Sequence, residues 1–137
     1  NPGSADFQSL SCATGDGKPR PLYEIVAEKA RSWNQMGNIG LVVGATYPQE
    51  LQRVRELCPD MPFLIPGVGA QGGDLEASVR LGLDKQGGGI IINSSRQIIY
   101  ASKGVDFADA ARRAASNLRQ AIDSHRSAQG HTWSRAR

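Results

Sequence analysis

Two stretches of this 137-residue chain combine residues suited to holding an anion. The first is Gly67-Val68-Gly69-Ala70-Gln71-Gly72. Its glycines would let the backbone approach a ligand, and Gln71 offers a side-chain amide donor. A helix N-terminus just beyond it would add a favourable dipole. The second is Ser94-Ser95-Arg96. A guanidinium matches phosphate oxygens two at a time, and a permanent charge at the end of a buried strand is costly without an anionic partner. Turn-making alone explains three glycines but not a Gln at the apex. Alone, Arg96 would read as half of a surface ion pair; beside a Gly-rich loop it reads as part of a phosphate site.

The same run is also a literal GxGxxG between a strand and a helix, which is the setting of a dinucleotide fingerprint. That fingerprint wants an acidic residue at the end of the following strand, where this chain has Asn93-Ser94-Ser95-Arg96. An Arg there suits a 2'-phosphate, so a nicotinamide-binding module stays open as an alternative. Residues for acid-base or covalent work are missing from the strand ends, which read Gly44-Ala45-Thr46, Pro66-Gly67 and Asn93-Ser94. Glu28, Glu50, Glu56, Glu76 and Asp109 fall inside predicted helices and read as solvated faces. Asp6 reads as a cap or loop hydrogen-bonder, and His125 and His131 as exposed bystanders.

The elements that must position these residues follow from periodicity. Leu22, Ile25, Val26, Ala30 and Trp33 recur at helical spacing within residues 21–35. Ile39-Gly40-Leu41-Val42-Val43-Gly44 is a nearly continuous apolar run, as expected of a parallel strand buried on both faces. Tyr47-Pro48 opens a helix carrying Leu51, Val54 and Leu57, and Pro59 closes it. Phe63-Leu64-Ile65 is a second strand, and Asp74 is a suitable N-cap for a helix that stops near Gly82. Ile90 to Asn93 is the third strand. A loop with Ser94, Ser95 and Arg96 follows, and a last helix spans about residues 106–123.

Alternating strands and helices predict an α/β fold with right-handed crossovers and a parallel sheet. Three strands leave two apolar edges unpaired, and a (β/α)8 barrel takes about 250 residues, so half of a barrel is expected. Residues 1–124 are assigned to it and residues 125–137 to a polar, basic tail. The start Asn1-Pro2-Gly3-Ser4, without an initiator Met, suggests a fragment.

With 39% hydrophobic and 21% charged residues the chain is too apolar for disorder. Runs such as Ile90-Ile91-Ile92 are far below the roughly 18 residues of a membrane helix, so no membrane partner is expected. The formal charge of +3 is not gathered into one block and would attract phosphate as readily as nucleic acid, so on its own it decides nothing. No nucleic-acid partner is expected. Cys12 and Cys58 lack metal-ligand or disulfide spacing.

Four blocks, in order, resemble the orotidine 5'-phosphate decarboxylase family. They are Asn1-Pro2-Gly3-Ser4-Ala5-Asp6-Phe7-Gln8, Gly40 through Thr46, Leu64-Ile65-Pro66-Gly67-Val68-Gly69-Ala70-Gln71-Gly72-Gly73-Asp74, and Ile91-Ile92-Asn93-Ser94-Ser95-Arg96. They are most similar to the second subgroup, found in many bacteria and in some fused pyrimidine enzymes. The resemblance implies the C-terminal half of a (β/α)8 TIM barrel. It also implies a cytoplasmic homodimer that converts orotidine 5'-phosphate to UMP without metal or organic cofactor. Gln71 and Arg96, with the backbone around Ser95, would hold the substrate phosphate, and Pro66, Gly67 and Val68 would line the pyrimidine side. The family's Lys and Asp catalytic cluster belongs to earlier strands, so no residue here is assigned to catalysis and the N-terminal half of the barrel is a required partner. The family's pyrimidine-contacting Ser would fall just before Asn1, and Ser95-Arg96 stands where the larger subgroup has Gly-Arg. The alternatives are another barrel enzyme acting on a ribose phosphate, or a non-enzymatic nucleotide-binding module.

Overall fold

The computed structural model describes residues 2–15, 17–69 and 72–132. A 3-10 turn, Pro2–Ser4, leads into a short helix α1, Ala5–Gln8, with Asp6 in its first turn. Strands β1, Ser11–Cys12, and β2, Arg20–Pro21, then form a two-stranded antiparallel ribbon. Helix α2, Leu22–Trp33, is followed by β3, Leu41–Val42, α3, Pro48–Leu57, and β4, Phe63–Ile65. Next come α4, Leu75–Gly82, β5, Ile90–Ile92, α5, Arg96–Ile99, and α6, Phe107–Ala128.

Strands β3, β4 and β5 make one parallel sheet in chain order, with Leu41 opposite Phe63 and Phe63 opposite Ile90. Main-chain bonds from Leu41, Val43 and Ala45 to the carbonyls of Pro62, Leu64 and Pro66 are each 2.9 Å long and carry the ladder beyond β3 itself. Phe63 and Ile65 are fully buried beneath α3 and α4, in a core with Leu51, Val54, Cys58 and Met61. Helix α4 reaches the sheet through Gly82, where a Cβ would lie 2.8 Å from Ile65 Cδ1 and 3.2 Å from Ile90 Cγ2.

The opposite face of the sheet is open, which corrects the expectation of strands covered on both sides. The register sets Val42, Leu64 and Ile91 side by side, and they are 72%, 36% and 60% exposed. The expected helical stripe on α2 splits for a related reason. Ala27 and Ala30 are buried, while Val26 is exposed and borders a cavity of about 490 Å3 that runs alongside β3. Both faces are apolar because their sequence is written for neighbours that the described residues do not supply. Expressed alone, residues 1–137 are therefore expected to aggregate or to bind a hydrophobic dye strongly. A cooperative thermal transition from a dye-silent monomer would contradict this.

Charged side chains tie the helices together. Arg53 forms a two-pronged pair with the buried Glu24, Nε to Oε1 and Nη2 to Oε2, both 3.0 Å, and this bonding raises the Arg53 pKa. Arg20 grips Glu28 in the same manner at 2.6 and 2.7 Å, so Glu28 is engaged rather than merely solvated. Arg55 is buried over the Phe63 ring. Its Nε donates to Gly82 O at 2.8 Å, its Nη1 to Met61 O at 2.7 Å and Cys58 O at 3.0 Å, and its Nη2 to Gly89 O at 3.0 Å. One guanidinium thus joins the ends of α3 and α4 to the turn before β5. Burial lowers the Arg55 pKa from that of a free guanidinium, yet the carbonyl cage accepts only a donor-rich cation.

At the C-terminus, α6 runs past residue 123 to Ala128. The buried Arg126 donates through Nε to Gly87 O, and the ring of His131 covers Gly87 so closely that a side chain there would collide with it. Neither His125 nor His131 is fully exposed, in contrast to the sequence expectation. The docking of the helix end onto a glycine turn is the reason. Cys12 and Cys58 are both free thiols; Cys58 is buried, donates to Ala27 O at 3.4 Å, and has its pKa pushed up by that burial.

Candidate functional site

The two loops singled out in the sequence leave the same edge of the parallel sheet, one after β4 and one after β5. Gly67, Gly69 and Gly72 have φ of 94°, 72° and 81°, a region where side-chain-bearing residues are strained. These conformations fold the loop onto itself. Gly69 N–H donates to Gly73 O at 3.0 Å, Gly72 N–H to Gly69 O at 2.8 Å, and Gly73 N–H to Gly67 O at 3.1 Å. Gly73 also sits where a Cβ would lie 2.6 Å from the Ala45 methyl, which docks the loop on the exit of β3. Beyond it the Asp74 side chain caps α4 by accepting from Ala77 N–H at 3.2 Å, as expected.

The second loop meets the first. The Gln97 side chain packs directly against Gly69, with Cδ and Oε1 each 2.9 Å from where a Cβ would stand. Ser94 Oγ donates to Gln97 Oε1 at 3.0 Å. Ser95 and Arg96 lie between them; Ser95 O accepts from Ile99 N–H at 2.8 Å, closing the single turn of α5 where the sequence suggested a plain loop. Ser95 and Arg96 are exposed, and the Arg96 side chain makes no hydrogen bond or ion pair among the described residues.

Of the other sequence candidates, Pro66 is half-buried and lines the cavity beside β3. Gly67 opens the loop, and Val68 is 5% exposed with its side chain in the core. Gln71 lies outside the described residues. The cavity lining includes Pro66 but not Ser95 or Arg96, so the large opening and the anion-suited loops are separate places on the chain. Gln97 was not singled out in the sequence. The one signal for it was Gly69, a glycine whose missing side chain has to be matched by something pressing in.

This arrangement disfavours a dinucleotide fold. Three loop N–H groups are spent inside the loop and are not turned out toward a pyrophosphate. The strand order β3-β4-β5 does not reverse at β4, so among the described residues there is no topological switch point for a nucleotide to straddle. The described residues contain no group of three His, Cys, Asp or Glu side chains able to hold a metal ion, and no helix long and apolar enough to cross a membrane.

Comparison with known proteins identifies the family and the fold. The chain is 57% identical over 127 residues to orotidine 5'-phosphate decarboxylase of Ralstonia pickettii and 54% identical over the same length to that of Ralstonia nicotianae. Each alignment covers 92% of this chain and 45% of the relative, so the chain spans about half the length of the curated relatives it matches. Among solved structures, Leishmania donovani OMP decarboxylase superposes with a TM-score of 0.73 at 44% identity, over 93% of this chain and 45% of that one. Leishmania donovani UMP synthase superposes with a TM-score of 0.71 at 45% identity, over 90% of this chain and 26% of that one. The parallel sheet with its open inner face is thus the C-terminal half of a (β/α)8 barrel. A family model matches residues 1–113, and the chain belongs to the Orotidine 5'-phosphate decarboxylase / HUMPS family.

Proposed function

We propose that this chain is the phosphate-holding half of a barrel that decarboxylates orotidine 5'-phosphate to UMP. The observation that carries the reading is the meeting of the two loops at Gly69 and Gln97, next in the chain to Arg96, whose side chain has no partner among the described residues. Arg96 supplies the charge that offsets the phosphate, and the main chain around Ser95 supplies donors at the start of α5. Gln71 would add a neutral donor. Pro66 and Gly67 form the wall on the pyrimidine side; with the Val68 side chain turned into the core, any contact from Val68 is through its main chain.

Decarboxylation breaks the bond between C6 of the pyrimidine and its carboxylate, releases CO2, and needs one proton returned to C6. The exits of β3, β4 and β5 carry no Lys, Asp, Glu, His or Cys that could deliver that proton. A donor must come from the other half, as the family resemblance implies with its Lys and Asp cluster. The chain's own contribution is binding energy from the non-reacting end of the substrate, used to stabilise the transition state. A homodimer in the cytoplasm is part of the same reading.

The test joins residues 1–137 to the N-terminal half of the Ralstonia pickettii enzyme and follows CO2 release from orotidine 5'-phosphate. This complete barrel is expected to turn over the substrate. A folded barrel that binds the substrate but releases no CO2 would point to a different reaction on a ribose phosphate.

A further inference from the structure

We infer that Gln97 is a positioning residue for Arg96, an assignment that rests on the phosphate-holding role proposed above. The Gln97 amide is held from two sides. Ser94 Oγ, at the exit of β5, donates to Oε1 at 3.0 Å, and the amide packs against Gly69, whose φ of 72° and lack of a side chain leave room for it. Gln97 therefore bridges the loop after β5 to the loop after β4. Arg96 is the preceding residue on the same one-turn helix, closed by Ile99 N–H to Ser95 O at 2.8 Å and Tyr100 N–H to Arg96 O at 3.1 Å. An exposed Arg with no partner among the described residues has many rotamers to lose on binding. Fixing its backbone against the glycine loop confines where its guanidinium can reach, and positioning of this kind is worth large factors in rate. Gln97 needs no contact with the phosphate to do this.

The experiment uses the complete barrel and two substrates, orotidine 5'-phosphate and its unphosphorylated nucleoside. Gln97→Ala is expected to lower kcat/KM for the phosphorylated substrate by about 5- to 10-fold, with little change for the nucleoside. Gln97→Met, which refills the space against Gly69, should stay within about 2-fold of the parent. In the Gln97→Ala background, Arg96→Ala should cost clearly less than it does in the parent, because neighbours that act together are not additive. The inference is overturned by no loss in Gln97→Ala, by equal loss on both substrates, by a Met variant as weak as Ala, or by costs at the two positions that simply multiply. If Arg96→Ala alone showed no preference for the phosphorylated substrate, the phosphate-holding role would fail, and that result does not involve Gln97. The variants should melt within a degree or two of the parent, since Gln97 is exposed.

Discussion

Truncating Arg96 to alanine in the complete barrel is expected to reduce kcat/KM for orotidine 5'-phosphate by about 10- to 100-fold. A hydrogen bond to a charged group contributes roughly 1.5–3 kcal/mol, and each 1.4 kcal/mol is tenfold in rate. The loss grows if the phosphate is left in a closed site without its counter-charge. Because the guanidinium makes no hydrogen bond or ion pair among the described residues, its removal should not disturb the fold, so the effect reports on the ligand. The nucleoside, which lacks the phosphate, should be turned over by the variant nearly as well as by the parent. Gln71→Ala removes a neutral donor and should cost less than Arg96→Ala. Steady-state kinetics on both substrates, with circular dichroism on each variant, settles the matter. An equal loss on both would mean that Arg96 acts through structure.

The second large effect falls on stability. Arg55→Met keeps an unbranched apolar stem of similar bulk over Phe63 but removes every guanidinium donor. Gly89 O would still accept from Phe63 N–H at 2.8 Å, and Cys58 O from Met61 N–H at 3.4 Å. Gly82 O and Met61 O would lose the bonds that Arg55 makes to them. A buried polar group left unsatisfied costs about 1–3 kcal/mol, so the variant should lose about 3–5 kcal/mol. Arg55→Lys should recover only part of this, because an ammonium cannot reach carbonyls on opposite sides of a planar fork. Urea unfolding of the complete barrel measures the loss. Arg112→Met is the comparison: its pair with Asp109 is exposed, and it should change stability by less than about 1 kcal/mol. An Arg55→Met barrel as stable as the Arg112→Met one would show that the cage contributes nothing net.

How much of this could be read before the structure depended on what each feature is made of. The strand Phe63–Ile65 and the helix start at Pro48 were legible because a short apolar run and a proline act locally. Asp74 was legible for the same reason: a cap is a contact over three residues. The ribbon of Ser11–Cys12 with Arg20–Pro21 was not, since two-residue strands have no periodicity to detect. Glu24, Arg55 and Arg126 are buried, but helical spacing marks apolar faces and is silent on a charged side chain whose partner lies elsewhere in the chain, as Arg53 does for Glu24, Gly82 O for Arg55 and Gly87 O for Arg126. At the site, the glycine loop and Arg96 stood out by residue type. Gln97 did not, because a glutamine beside an arginine carries no pattern until the opposite loop is seen to press on it.

The open row Val42, Leu64 and Ile91 bears on how this chain should be engineered. Ranked by solvent exposure alone, these positions look like surface and would be offered for polar replacement in any effort to raise solubility. Their register places them on what becomes the barrel interior, where packed branched side chains fill the space. Serine or lysine there would make the fragment better behaved in a tube and poorer at pairing with its other half. Solubility of the piece and competence of the whole select in opposite directions at these three sites, so a screen on the isolated chain would enrich for variants that cannot complete the barrel.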